Sequence, residues 1–454
     1  MTVYQDILNR ITPARLTGSV ADTIGPVVAV ADFPAPLGGI ASIQRVGGEP
    51  LEAEVVGFRQ QKTILFPFAP TNGVRQGAKV QLVRTSPLLR VGDQLLGRIV
   101  DAHGRVIDGR ARPMLTDRVA LEREVPRAVD RPRIDRPLET GVRVIDGLLR
   151  CGLGQRLGIF AGAGVGKSVL LGMLSRYSQA DVNVIALVGE RGREVNDFVE
   201  RDLGPEGLAR SVVVVATSDA PAVLRLQAAY TATTIAEYFR DQGKNVLLMV
   251  DSVTRFATAL RETGLAAGEP PATRGYPPSM FSTLPKLVER AGRTAKGSIT
   301  AFYSVLVEGD DANEPVADTI RGLLDGHVWL SRRLATGGHF PAVDVLESIS
   351  RLMNDITPDT ERHAAQIVRS LLATYREHED LITVGAYRKG TNRRVDVAID
   401  FREAIETFLR QDITEQASLR DTTERLLQLG QQCAARLQAS PGQASPEPVA
   451  VGAR

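Results

Sequence analysis

From Leu16 to Arg84 the hydrophobic pattern is one of short β-prone runs, GSVADTIGPVVAV, LEAEVVGF, KTILFPF and KVQLV. They are cut by turn signals at Leu37-Gly38-Gly39, Gly47-Gly48 and Thr71-Asn72-Gly73. This spacing predicts a small β-barrel or sandwich. Further on, near-continuous apolar runs alternate with helical intervals: Leu157 to Phe160, Val182 to Val188, Ser211 to Thr217, Asn245 to Asp251, Ile299 to Leu306 and His327 to Ser331. Strands covered on both faces and joined by helical crossovers predict a doubly wound α/β core. From about Asn354 the strand signal stops. ERHAAQIVRSLLATYREHED puts Ala364, Ile367, Val368, Leu371, Leu372 and Tyr375 on one stripe, and FREAIETFLR and SLRDTTERLLQLG follow, so a helical domain closes the chain.

Residues 1–88 are therefore read as a lead plus barrel, 89–353 as the core, 354–438 as the helical domain and 439–454 as a disordered tail rich in Pro, Ala, Gly and Ser. Ser86 to Arg150, rich in Arg and Pro, carries interleaved Asp and Glu and is expected to cross between domains as a solvated, irregular segment rather than as a basic patch. Oligonucleotide-binding barrels stack bases on exposed rings. Here the barrel's aromatics are Phe33, Phe58, Phe66 and Phe68, the last three at a spacing that assigns them to the core.

The bulk properties mainly exclude. In 454 residues, 43% hydrophobic and 24% charged, Lys+Arg 55 against Asp+Glu 53 gives a net charge of +2, so nothing advertises nucleic acid or a membrane surface. Cys151 and Cys433 lie far apart and form no metal or redox pair. Without a long apolar run or a signal-type start, the expected compartment is the cytoplasm.

The chemistry starts where the run ending at Phe160 breaks into Ala161-Gly162-Ala163-Gly164-Val165-Gly166-Lys167-Ser168 and then into the helical SVLLGMLSRYSQ. Strand, glycine-rich turn and helix in that order form a phosphate cradle: backbone N–H groups and the helix N-terminus face the anion. Lys167 is placed for the β- and γ-phosphates and the Ser168 hydroxyl for magnesium. Ala161 replaces the first glycine of the strict motif, which a negative φ permits. The glycines do not fit a dinucleotide fingerprint.

Ligands in such sheets bind beyond the carboxyl ends of strands, where charged groups appear twice. Asp251 ends VLLMV and suits the magnesium side of a nucleotide site; it also suits a cap on the helix SVTRFATALRE. Glu190, after VNVIALVG, suits alignment and deprotonation of an attacking water. The alternative for Glu190 and Arg191 is a surface ion pair.

The stretches IFAGAGVGKSVLLGML, ALVGERGREVNDF, VLLMVDSVTRFATALRETGLAAGEPPATRGYPPSMF, LPKLVERAG, GSITAFYSVLVEGDD and HFPAVDVLESISR, across about residues 15 to 435, resemble the type III secretion ATPases, the flagellar export ATPase above all. These are relatives of the catalytic subunits of rotary ATP synthases. The resemblance implies a RecA-like P-loop core and a homohexamer that uses ATP and Mg2+ to unfold and release export substrates from chaperones. It also implies a stalk or coiled-coil protein and a regulator as partners, an indirect link to the membrane export gate, and a peripheral place at the inner-membrane base of the apparatus. It makes Glu190 the general base and Arg191 a γ-phosphate sensor. Arg351 of ESISR becomes an arginine finger offered to the neighbouring subunit, although from sequence alone an interface salt bridge fits Arg351 equally. Gly268 to Pro278 becomes a pore loop, or else a structural loop.

The acidic helix-turn-helix of synthase β-subunits is missing. GAYRKGTNRRVDVAI stands there instead, and within it Tyr387 is taken as the adenine-stacking ring. Other readings are the ATPase of a host-directed injection system, an RNA-translocating hexamer resembling the terminator Rho, and a nucleotide-binding but inactive subunit. The last is disfavoured by retention of Lys167, Ser168, Glu190, Asp251 and Arg351.

Overall fold

The structure, a computed structural model, describes residues 16–307 and 314–439; the N-terminal lead and nearly all of the expected disordered tail lie outside them. The first unit is a closed barrel of strands β1 (Thr17–Ile24), β2 (Val27–Ala31), β3 (Ile40–Ile43), β4 (Leu51–Arg59), β5 (Lys62–Pro67) and β6 (Lys79–Arg84) in the order β1-β2-β5-β4-β3-β6. Closure removes both sheet edges. Inward residues such as Val28, Val30, Ala41, Ile43, Ala53, Leu65 and Val80 fill the interior. The short β3, with only Ile40 and Ile43 as large apolar residues, carries too little alternation to be read from sequence. Phe66 is buried and Phe68 partly buried against the core as expected, and Phe33 is buried too, but Phe58 is exposed, because β4 pairs with a register shift between Val55 and Gly57 that alters the alternation.

The expected irregular crossing contains regular structure. Its strands are β7 (Leu88–Val91), β8 (Arg98–Asp101), β9 (Asp117–Ala120) and the two-residue β10 (Pro137–Leu138), which pairs with β11 (Cys151–Gly152). β8 joins the core as an edge strand beside β14 (Ser211–Thr217), and its Arg98 forks onto Asp108 at 2.7 Å and 2.8 Å. A four-residue strand with charged ends gives no periodic signal.

The core sheet continues with β12 (Arg156–Ala161), β13 (Val182–Glu190), β15 (Asn245–Asp251), β16 (Gly292–Arg293), β17 (Ser298–Leu306), β18 (Gly326–Leu330) and β19 (Val343–Ser350). Its order is β19-β18-β12-β17-β15-β13-β14-β8, with β16 paired to β17. All neighbours are parallel except β19 on β18 and β16 on β17. The near-continuous apolar runs have a simple cause. Val184, Ala186 and Val188 of β13 enter one core while Ile185 and Leu187 enter the other, and β14 and β15 divide the same way. β19, which the run of apolar segments does not include, is an antiparallel edge strand.

The helices Asp359–Thr383, Arg393–Asp400, Arg402–Leu409 and Leu419–Gln438 close the chain. The predicted stripe holds: Ala364, Val368 and Leu371 are buried, with Ile367, Leu372 and Tyr375 packed beside them. Gly430 lets the last helix approach closely, since a Cβ there would stand 2.6 Å from that of Ala364. This helical unit shares its core with Leu170, Leu171 and Leu174 of the helix Lys167–Tyr177. Both cysteines are buried thiols.

Candidate active site

The phosphate loop has the backbone its sequence requires. Ala161 is the last residue of β12, where alanine is at ease, while Gly164 (φ 76) and Gly166 (φ 91) take the left-handed conformation. Lys167 opens the helix Lys167–Tyr177 and Ser168 lies in its first turn. The loop's N–H groups and the helix's positive end therefore face one concavity.

Sheet order brings the acidic groups to that concavity. Asp251 ends β15, separated from β12 by β17, whose Ser304 Oγ donates to Asp251 Oδ1 at 2.5 Å. The Lys167 ammonium donates to the same Oδ1 and, at 3.4 Å, to Glu190 Oε1. Asp251 does not cap the following helix. Ser252 does, accepting the Arg255 N–H at 3.3 Å, which leaves the carboxylate for the lysine.

Glu190 is aimed by a kink. Gly189 has φ 71, and the pairing of β13 with β14 slips between Val188 and Glu190, so the last side chain swings out of the strand's alternation. Burial, the largest influence, pushes the Glu190 carboxyl up to about 7; Lys167 opposes this, and Asp251 and Glu194 reinforce it. Burial also works against the Lys167 charge, but Asp251 and Glu190 outweigh it and the ammonium is held above its ordinary value. The two shifts are compatible because Asp251 takes the closer contact, leaving Glu190 with less compensation.

Not all expected residues converge. The Arg191 side chain is 79% exposed and pairs with Glu194 at 3.5 Å, so Glu190 and Arg191 do not form the surface ion pair considered for them. Arg351 is exposed, just past β19, and its N–H donates to the Asp325 carbonyl at 3.0 Å; the Asp325 N–H in turn donates to the Arg156 carbonyl at 2.9 Å. Arg156 starts β12 and the phosphate loop follows its end, so Arg351 lies a strand length, about 17 Å at 3.3 Å per residue, from its own chain's loop. The Tyr387 hydroxyl lies 2.8 Å from the Asn392 carbonyl and 2.9 Å from Asp396, either of which can accept its proton, beside the helix Arg393–Asp400.

The ring beside the loop is Phe340. Its edge lies 3.7 Å from where a Gly166 Cβ would stand, and it is 45% exposed. A pocket of about 240 Å3 opens there, lined by Val169, Met173, Leu330, Phe340, Gln411 and Ile413 among others; Tyr387 does not line it. Phe340, not Tyr387, is thus the ring that stands beside the loop. The sequence offers only an aromatic between His339 and Pro341, just ahead of β19.

Comparison with known proteins fits this architecture. Models of the ATP synthase alpha/beta family match at residues 20–83 (β-barrel domain) and 141–350 (nucleotide-binding domain), and a model of the T3SS EscN ATPase C-terminal domain matches at 357–428. The chain is 51% identical to the flagellum-specific ATP synthase of Bacillus subtilis, over 91% of this chain and 94% of that protein. It is 48% identical to a type 3 secretion system ATPase of Xanthomonas euvesicatoria, over 94% and 96%. The assembled ATPase EscN of enteropathogenic E. coli superposes with a TM-score of 0.87 at 45% identity, over 91% of this chain and 100% of that one; EscN is also known in complex with its central stalk EscO. With barrel, phosphate-loop core and helical C-terminal domain all matched in order, the chain belongs to the type III secretion ATPases of the ATP synthase alpha/beta family.

Proposed function

We propose that the protein hydrolyses ATP as the motor of a flagellar protein export apparatus. The observation that carries this is the Lys167 ammonium held between Asp251 and Glu190 at the mouth of a phosphate loop. A triphosphate in the loop offers oxygens to Lys167 and to the N–H groups of 162–168, and Phe340 offers a face to the base. Glu190 aligns the attacking water and takes its proton as the bond to the γ-phosphorus breaks.

The residues present fit Mg2+. Among the described residues no cluster of acidic, His or Cys ligands would cage a metal unaided. A magnesium ion instead keeps waters and phosphate oxygens and needs only one or two protein groups. Ser168 and Asp251 are those groups, and the ion would supply charge neutralisation on the phosphates.

Arg351, remote from its own loop and exposed, is proposed to complete the site of an adjacent copy in a homohexamer, where a guanidinium fork spreads transition-state charge. Arg191, equally exposed, is proposed as a γ-phosphate sensor once a neighbour packs there. The loop from Gly268 to Pro278, which leaves a helix through left-handed Gly268 and makes one short turn at Thr273–Gly275, is proposed to face the ring's pore and a coiled-coil stalk. Export substrates, chaperones, a regulator and, indirectly, the membrane export gate complete the proposed partners. No described helix is long and apolar enough to cross a membrane. We place the protein in the cytoplasm, peripheral at the inner-membrane base of the apparatus.

The test is ATP turnover against protein concentration: sites shared between copies give a specific activity that rises steeply with assembly, whereas a flat profile would remove the shared-site reading. An injection-system role is the second reading, favoured by the 48% identity to the Xanthomonas protein. Deletion in the source organism separates the two, through loss of filament export or loss of secreted effectors.

A further inference from the structure

Arg176, in the last turn of the phosphate-loop helix, touches both sides of the site at once. Its Nη1 donates to the Asp202 carbonyl, while its Nη2 donates at 2.8 Å to the Ile413 carbonyl, which also accepts the Tyr177 hydroxyl at 2.8 Å. Neither partner is a carboxylate. The charge is directed at main-chain oxygens on two separate segments, from a helix end that favours cations.

The Asp202 side leads to Glu190. From Glu190 the chain runs through the helix Gly192–Asp197 into a π-helical turn, Phe198–Leu203, and returns through Gly204–Ala209 to β14. Such turns are rare and tend to mark functional places. This one rests directly on the phosphate-loop helix: a Cβ on Gly172 would stand 2.5 Å from the Asp202 oxygen and 2.9 Å from its carbonyl carbon. The Ile413 side leads to the pocket. Ile413 and Gln411 line it together with Phe340, and the Gln411 N–H donates to the Phe340 carbonyl at 3.0 Å.

We propose that Arg176 is a positioning residue that locks the Phe340 pocket wall and the Glu190 segment to one helix, so that filling the pocket steadies the carboxylate that handles water. This rests on the roles proposed above for Glu190 and Phe340. Arginine suits the task because its planar fork can serve two acceptors in fixed directions, whereas a lysine ammonium is a single point donor.

The experiment uses the full chain in its assembled form and reads kcat, KM for ATP, the pH profile of kcat/KM, and melting temperature. Arg176→Ala is expected to lower kcat about tenfold and raise KM about threefold, the scale on which losing a group that orients a site residue commonly acts. The acid limb should move to lower pH as water reaches Glu190. Arg176→Lys should recover part of kcat. Should Arg176→Ala fold poorly, Gly172→Ala displaces the same turn from the other side, and is expected to lower kcat with KM near the parent's. A lowered melting temperature with kcat, KM and acid limb all unchanged would overturn the proposal. Glu190→Gln keeps the two ideas apart. Turnover in that variant removes the role of Glu190 itself, whereas a silent Glu190→Gln beside an Arg176→Ala and a Gly172→Ala of parental kcat removes only the coupling.

Discussion

Lys167 Nζ stands 3.4 Å from Glu190 Oε1, and both side chains are only 11% exposed. One ammonium thus serves two carboxylates, with Asp251 taking the nearer contact. In the proposed mechanism phosphate oxygens entering the loop compete for the same cation, so nucleotide binding and the readiness of Glu190 would be linked through a single side chain.

Lys167→Ala should therefore abolish turnover, measured as phosphate release. It should also lower thermal stability by about 3 kcal/mol, because two buried carboxylates lose their counter-charge. The stability loss should shrink in acid, where Glu190 takes up a proton. A variant that keeps turnover would remove the phosphate role.

The Glu190 carboxyl, raised to about 7 by burial, must be ionised to act as a base. Activity expressed as kcat/KM should accordingly fall as pH drops through about 7, the limb belonging to the free enzyme. Glu190→Gln should bind nucleotide with near-parental affinity while turning over at least about a hundredfold more slowly, in line with general base contributions. A profile still flat at pH 5.5 would assign the base elsewhere.

Phe340→Ala should weaken nucleotide binding by about tenfold, which is about 1.4 kcal/mol and lies within what base–aromatic stacking contributes. Tyr387→Phe should leave that affinity unchanged while loosening the turn that its hydroxyl ties to Asn392 and Asp396. Titration with a fluorescent ATP analogue reads both; the reverse outcome would restore Tyr387 to the base pocket.

Arg351→Ala should be nearly inactive in assembled rings. Mixing it with Lys167→Ala should bring back part of the activity, because some boundaries then join an intact loop to an intact Arg351. No recovery at any mixing ratio would confine Arg351 to its own protomer or to a structural contact.

At the barrel–core boundary, Glu54 of β4 accepts the Gln227 side-chain N–H at 2.6 Å, and burial raises its carboxyl to about 7. Among the described residues the Gln227 Oε1 finds no donor. With a folded value above the unfolded 4.5, the folded chain holds more proton between those limits, so this group's contribution to stability falls as pH rises from 4.5 to 7 and is flat above. Glu54→Gln keeps the contact, can donate to Gln227 Oε1 and carries no charge. It should raise stability by up to about 3 kcal/mol at pH 8, from the 1.36 kcal/mol per pKa unit, and by little at pH 5. Equal gains at both pH values would show that the charge is not the cause.

The barrel, the parallel core and the helical closure were legible because each has its own hydrophobic period, and the loop at 162–168 because strand, glycines and helix adjoin in sequence. What the sequence hid was tertiary. β8 is too short and too charged to show a period, and β19 has the mixed polarity of an edge. Phe58 turned outward at a register slip that no local pattern announces. The separate fates of Glu190 and Arg191 follow from left-handed Gly189, and the nearness of Phe340 to Gly166 depends on a fold that brings residues far apart in the chain together. The cap at Ser252 was visible as a serine before a helix, yet Asp251 one position earlier competed for the same role.

The distance between Arg351 and its own loop has an outcome for inheritance. If every copy contributes a grip at one boundary and a finger at the next, a copy defective in both spoils two junctions of the ring. A minority of such chains should then suppress export out of proportion to their number, and the damage would behave as dominant when both alleles are expressed.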